Sequence, residues 1–124
     1  MAENVALMRL IPALSNPQTG RLDAKRVAQE LHLSPDAIAC ALERTVAQID
    51  EHSDAPELQP HLYAICRIWS VAIDLYAGEK TSAYIFMNTS NEHLEKRAPI
   101  VFIKSGDLVP LESLMEAMNI RQPA

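Results

Sequence analysis

Apolar residues recur along this chain mainly at intervals of three and four, the spacing of helices with one buried face, and strand-like alternation is almost absent. The pattern predicts a first helix over Asn4 to Leu14, carrying Val5, Met8 and Ile11 before it meets Pro12. A polar turn, Ser15 to Gly20, follows. A second helix over about Asp23 to Leu31 groups Val27, Ala28 and Leu31, with Asp23 placed to cap its start. Ser34-Pro35-Asp36 is a start signal for a third: a hydroxyl cap, proline at the first helical position, and an acid near the positive helix end. It is expected to run to about Asp50, with Ile38, Ala41, Leu42, Thr45, Val46 and Ile49 inward.

The most regular stripe is Leu58, Leu62, Ile65, Trp69, Ala72, Ile73 and Tyr76, a long helix that Gly78 is expected to stop. Beyond it the pattern predicts an amphipathic piece over Ser82 to Met87, a polar turn over Asn88 to Asn91, and a segment led by Pro99 and closed by Gly106. A last helix over Asp107 to Asn119 carries Leu108, Leu111, Leu114, Met115 and Met118. The expected fold is therefore all-α. Residues 53–60, polar and holding two prolines, are the expected linker between an N-terminal helical lobe (1–52) and a C-terminal one (61–124).

Charge changes this picture by what it disfavours. Residues 1–60 hold 5 basic and 9 acidic side chains, and residues 61–124 hold 6 and 7. Composition thus builds no basic face of the kind that phosphate neutralisation requires. No transmembrane run occurs, and no basic start leads into an unbroken apolar stretch, so a cytoplasmic protein is expected. Cys40 and Cys66 lie in apolar helical patterns and are expected to be reduced core thiols.

Candidate chemistry is sparse. His32, His52, His61 and His93 show no spacing that sets two ligands on one helical face, and His52 and His61 are expected to be solvated beside the linker. There is no nucleophile elbow and no glycine-rich phosphate loop. Glu112 and Glu116 at i,i+4 read as a solvated helix face. No catalytic residue, metal or cofactor is expected, and an enzyme is disfavoured.

Ala24 to Thr45 has the spacing of a helix-turn-helix, with Leu33 in the turn and the small Ala28 allowing a close crossing. His32 occupies the position usually held by glycine, which demands either a positive φ or a different turn. Lys25, Arg26, Ser34 and Arg44 are the candidate DNA contacts. Asp23, Glu30, Asp36 and Glu43 oppose them in charge.

The stretch Ala83-Tyr84-Ile85-Phe86-Met87, then Ser90-Asn91, Leu94-Glu95, Arg97, Pro99, Gly106 and Leu114, resembles the toxin-binding domain of the Xre/MbcA/ParS antitoxins. Trp69-Ser70-Val71-Ala72 resembles that family's preceding helix, and the helix-turn-helix-like segment sits where these antitoxins keep theirs. Phe86, Asn91, Leu94, Arg97, Pro99 and Gly106 carry the motif, in structural roles. The resemblance implies an antitoxin that binds a RES-domain, NAD-degrading toxin and commonly represses its own operon by binding operator DNA. The implied toxin contacts are Leu114, Met115, Met118, Asn119, Ile120 and Arg121. Ser90 replaces the family's usual proline, Phe86 stands for its more usual tryptophan, and the tail Asn119 to Ala124 departs from its glycine-containing end.

The readings at this stage are a toxin-neutralising antitoxin, a DNA-binding regulator whose C-terminal lobe dimerises, and a helical domain of another role. A homodimer is expected because the stripe from Leu58 to Tyr76 is long for one small lobe to bury.

Overall fold

The computed structural model describes residues 5–121, with Val5 and residues 119–121 described by backbone alone. The described residues form eight α-helices and no strand, so the fold is all-α. They are α1 (Val5–Ala13), α2 (Ala24–Glu30), α3 (Pro35–Ala41), α4 (Val46–Glu51), α5 (Gln59–Leu75), α6 (Lys80–Met87), α7 (Pro99–Ser105) and α8 (Val109–Arg121). Short 3-10 turns, Pro56–Leu58 and Glu92–Leu94, precede α5 and α7.

The long α5 is the axis of the fold, because its apolar stripe offers the longest burial surface. Leu62, Ile65, Ile68, Trp69, Ala72 and Ile73 are all buried. The helices α1, α6 and α8 pack around it. From Leu58 to Ile73 the stripe is therefore covered by this chain's own helices, while Tyr76 at its end is exposed.

Helix starts follow local chemistry. Asp23 accepts from Lys25 N, Ser34 accepts from Ala37 N, and both caps stand where the sequence sets them. The expected third helix, however, breaks after Ala41. Leu42 ends it, Glu43 turns left-handed at φ 56°, and Thr45 caps a new helix in a reciprocal box with Gln48. Thr45 is accordingly exposed rather than inward.

Three helices end in the same way. After α2, α3 and α5 a non-glycine residue takes positive φ: His32 (57°), Glu43 (56°) and Ala77 (54°). The next amide then reaches back to the helix: Leu33 N to Ala28 O at 2.8 Å, Arg44 N to Ala39 O at 2.9 Å, Gly78 N to Ile73 O at 3.0 Å. This is the Schellman arrangement, which satisfies carbonyls the helix end leaves open. Ala77 rather than Gly78 thus makes the first turn out of α5.

Residues 53–60 are tied down. The Asp54 carboxylate accepts from Thr19 Oγ1 at 2.6 Å and stands 3.5 Å from Arg21 Nη2. The Thr19 hydrogen bond, the largest effect, holds the Asp54 carboxyl below its usual range against the opposing effect of burial, with Arg21 adding a lesser pull in the same direction as Thr19. Gln59 both donates to Leu22 O and accepts from Leu22 N, and Ala24 N donates to Ser53 O. Leu58 is buried, and one continuous core of described residues runs from Leu10 to Met115 across this segment.

Candidate functional site

Two surfaces compete for a function, and a partly buried clamp ties the first of them to α5 and α6. The first is the helix-turn-helix-like pair α2 and α3. Its turn is built on His32 at positive φ, one of the two alternatives open to a non-glycine residue there. Helix α3 is covered on two sides, by α2 and by α7. Ile38, Ala39 and Ala41 are buried, which leaves Ser34, Pro35, Asp36 and Cys40 as its exposed residues. An acid and a thiol make a poor reader of phosphates and base edges.

The expected DNA contacts are dispersed in what they do. Lys25 lies 3.2 Å from Asp50, Ser34 spends its hydroxyl on the α3 cap, and Arg44 Nη1 turns back to the carbonyls of Leu42 and Glu43. Arg26 is exposed. The exposed Cys40 corrects the expectation of a core thiol; α3 is a short helix buried on other faces. Cys66 is buried as expected, and burial first, with the Glu30 carboxylate second, pushes its thiol up to about 12.

The second surface is α8. Leu108, Leu111 and Met115 face the core. Met115, expected among partner contacts, is only 3% exposed and packs where α5 and α8 form a small cleft. It cannot meet a partner while α8 is docked. Leu114 and Met118 are half-buried on the helix flank, and Val109, unnoticed in the sequence, is 69% exposed. The side chains of Asn119, Ile120 and Arg121 lie outside the described residues.

The motif residues hold the turn between α6 and α8. Asn91 Oδ1 accepts from His93 N at 2.9 Å, and its backbone pairs with Arg97 in an antiparallel bridge. Leu94 is buried beneath that turn. Arg97 lies 4.7 Å above the Phe102 ring, a cation–π contact. Pro99 opens α7 and Gly106 ends it at φ 80°. Phe86 is half-buried and meets Tyr76 with ring centroids 6.2 Å apart.

The clamp is a feature that periodicity alone does not reveal. Glu30, at the end of α2, accepts from Trp69 Nε1 at 2.8 Å and from Lys80 Nζ at 2.9 Å, so α5 and α6 share one carboxylate. The Tyr84 hydroxyl donates to the Glu30 carbonyl. Its ring stacks on His32 with centroids 4.3 Å apart and leans on Trp69 at 4.6 Å. Burial, then the Glu30 charge, pushes the Tyr84 phenol up, keeping it a donor. The left-handed turn residue of the helix pair is thus pinned by the first aromatic of the toxin-binding-like motif.

Among the described residues, no group of three or more His, Cys, Asp or Glu could hold a metal ion, and no helix is long and apolar enough to cross a membrane. Comparison of the chain with protein families, with curated proteins and with solved structures finds no match.

Proposed function

We propose that this chain is an antitoxin that binds and blocks a RES-domain, NAD-degrading toxin, with α8 and the residues after it as the contact surface. The observation that carries the reading is the surplus of apolar residues on α8. Leu111 and Met115 already supply its core face, yet Val109 stands out in solvent and Leu114 and Met118, beside the core face, remain half-covered. Apolar anchors beside a polar rim are how protein interfaces concentrate affinity. The residues that support the family resemblance run from Ala83 through Gly106 to Leu114 on this helix.

Operator binding is the lesser reading. The exposed residues of α3 have the wrong charge for it, and Lys25 and Arg44 are engaged with Asp50 and with backbone carbonyls. The test is co-purification of the tagged chain with the product of an adjacent reading frame, repeated after removing residues 119–124. A complex whose NAD-degrading activity returns on truncation supports the proposal. Absence of any complex, together with salt-dependent capture of promoter DNA, would replace it by the regulator reading.

A further inference from the structure

A cleft of about 290 Å³ opens among α2, α3 and α4, and no residue of α8 lines it. Its floor is aliphatic: Ala28, Leu33, Ile38 and Ile49 are buried and Val46 is half-buried. The charged residues lining it are Lys25 of α2 and Asp50 of α4, and both side chains are more than half exposed. Lys25 Nζ stands 3.2 Å from Asp50 Oδ1, so one cation and one anion meet at the mouth of an apolar hollow. Gln29, one turn along α2 from Lys25, adds an amide able to donate and to accept. Apolar walls with a few convergent polar groups are the ordinary make-up of a small-molecule site, and the volume lies at the small end of the range, near about 300 Å³.

The lining narrows the ligand. An aliphatic floor asks for an aliphatic body, since alkyl walls gain little from water. An aliphatic acid would set its carboxylate beside Asp50, and an aliphatic amine would set its ammonium beside Lys25. A small zwitterion, with both charges on one carbon, answers both residues at once. An ion pair as exposed as this one adds little to stability, so parting it to admit such a ligand costs little.

We propose that this cleft binds a free aliphatic α-amino acid, its side chain on the floor, its carboxylate on Lys25 and its ammonium on Asp50. The ligand then ties α2 to α4 in place of the direct ion pair and fills the space beneath the helix-turn-helix-like pair. The site lies apart from α8, so the proposal does not rest on the antitoxin reading and can fail without it.

The experiment is an amide NMR titration of the full chain with L-leucine at neutral pH. Three controls run beside it: isocaproate (leucine without its ammonium), isoamylamine (leucine without its carboxylate) and glycine. Saturable shifts are expected with leucine, centred on Ala28, Leu33, Val46 and Asp50, and none with glycine. Each one-charge analogue should bind about two- to fivefold more weakly, the worth of one exposed charge pair. Lys25→Met should weaken leucine by a similar factor without weakening the amine, and Asp50→Asn should weaken leucine without weakening the acid. No saturation at millimolar leucine, shifts centred outside the cleft, or an analogue that binds as tightly as leucine would overturn the proposal. In the last case the cleft is a site for an apolar acid or amine instead. If a variant fails to fold, the wild-type panel decides alone.

Discussion

Replacing Gly106 by alanine should destabilise the protein far more than the same change at Gly20 or Gly78, although all three glycines have positive φ. An L side chain in the left-handed region costs roughly 1–2 kcal/mol. The loss of chain freedom in the unfolded state returns about 0.4–1 kcal/mol of this. Gly20→Ala and Gly78→Ala, where an added Cβ meets nothing within 4 Å, should therefore each cost about 1 kcal/mol by the same reckoning. At Gly106 the added Cβ would stand 2.9 Å from the carbonyl oxygen of Ala41. That oxygen belongs to the backbone of α3, whose Ala41 is fully buried, so it cannot swing aside as a flexible side chain would. Forcing α7 from α3 adds an overpacking cost of roughly 1–3 kcal/mol. The total for Gly106→Ala is about 2–4 kcal/mol, a fall in Tm on the order of 8–16 °C for a domain of this size. Urea melts of the three variants followed by circular dichroism give the comparison. Three unfolding free energies within about 0.5 kcal/mol of one another would refute the claim that α3 and α7 touch backbone to backbone, since additivity errors are no larger.

The clamp predicts that Glu30→Ala, which leaves the Trp69 indole without its acceptor, costs about 1–3 kcal/mol and changes the emission of the chain's single tryptophan. Lys80→Ala, at a half-exposed ion pair, should cost under about 1 kcal/mol in the same melts; equal losses for both would show that the carboxylate matters only through the lysine. Thr45→Ala should cost about 1 kcal/mol by removing the cap of α4, and an unchanged urea midpoint would mean that α4 is held by packing alone. At pH 8 the exposed Cys40 should react with a thiol reagent in the folded protein while Cys66, its thiol pushed up to about 12, reacts only on unfolding; simultaneous labelling would contradict the burial of α5.

What the sequence made legible is what period and caps encode. The α5 stripe, the Asp23 and Ser34 caps, the α7 start at Pro99 and its end at Gly106 all stand where residue type alone sets them. The break between α3 and α4 has no glycine to mark it. Here Glu43 and Ala77 take the left-handed position, at an energy cost that the returning hydrogen bonds offset. The Thr45-x-x-Gln48 box was a readable signal for α4 that the unbroken apolar pattern overrode. The part-burial of His61 and the convergence of Trp69, Lys80 and Tyr84 on Glu30 depend on how the helices cross. No spacing along one helix encodes that crossing. The residues expected to meet a partner divide on the same ground: Met115 turns inward while its neighbour Leu114 stays on the flank.

The most direct test of the central claim is the affinity of the purified chain for a RES-domain toxin, measured by calorimetry for wild type and for Val109→Glu and Leu114→Glu. Val109 lies outside the buried face of α8 and Leu114 packs at its edge, so circular dichroism must first show that each variant folds. The account predicts tight wild-type binding that each charge weakens by at least about tenfold, the effect of losing one apolar anchor. Wild-type binding that neither substitution alters, or no binding at all by a folded chain, would contradict it.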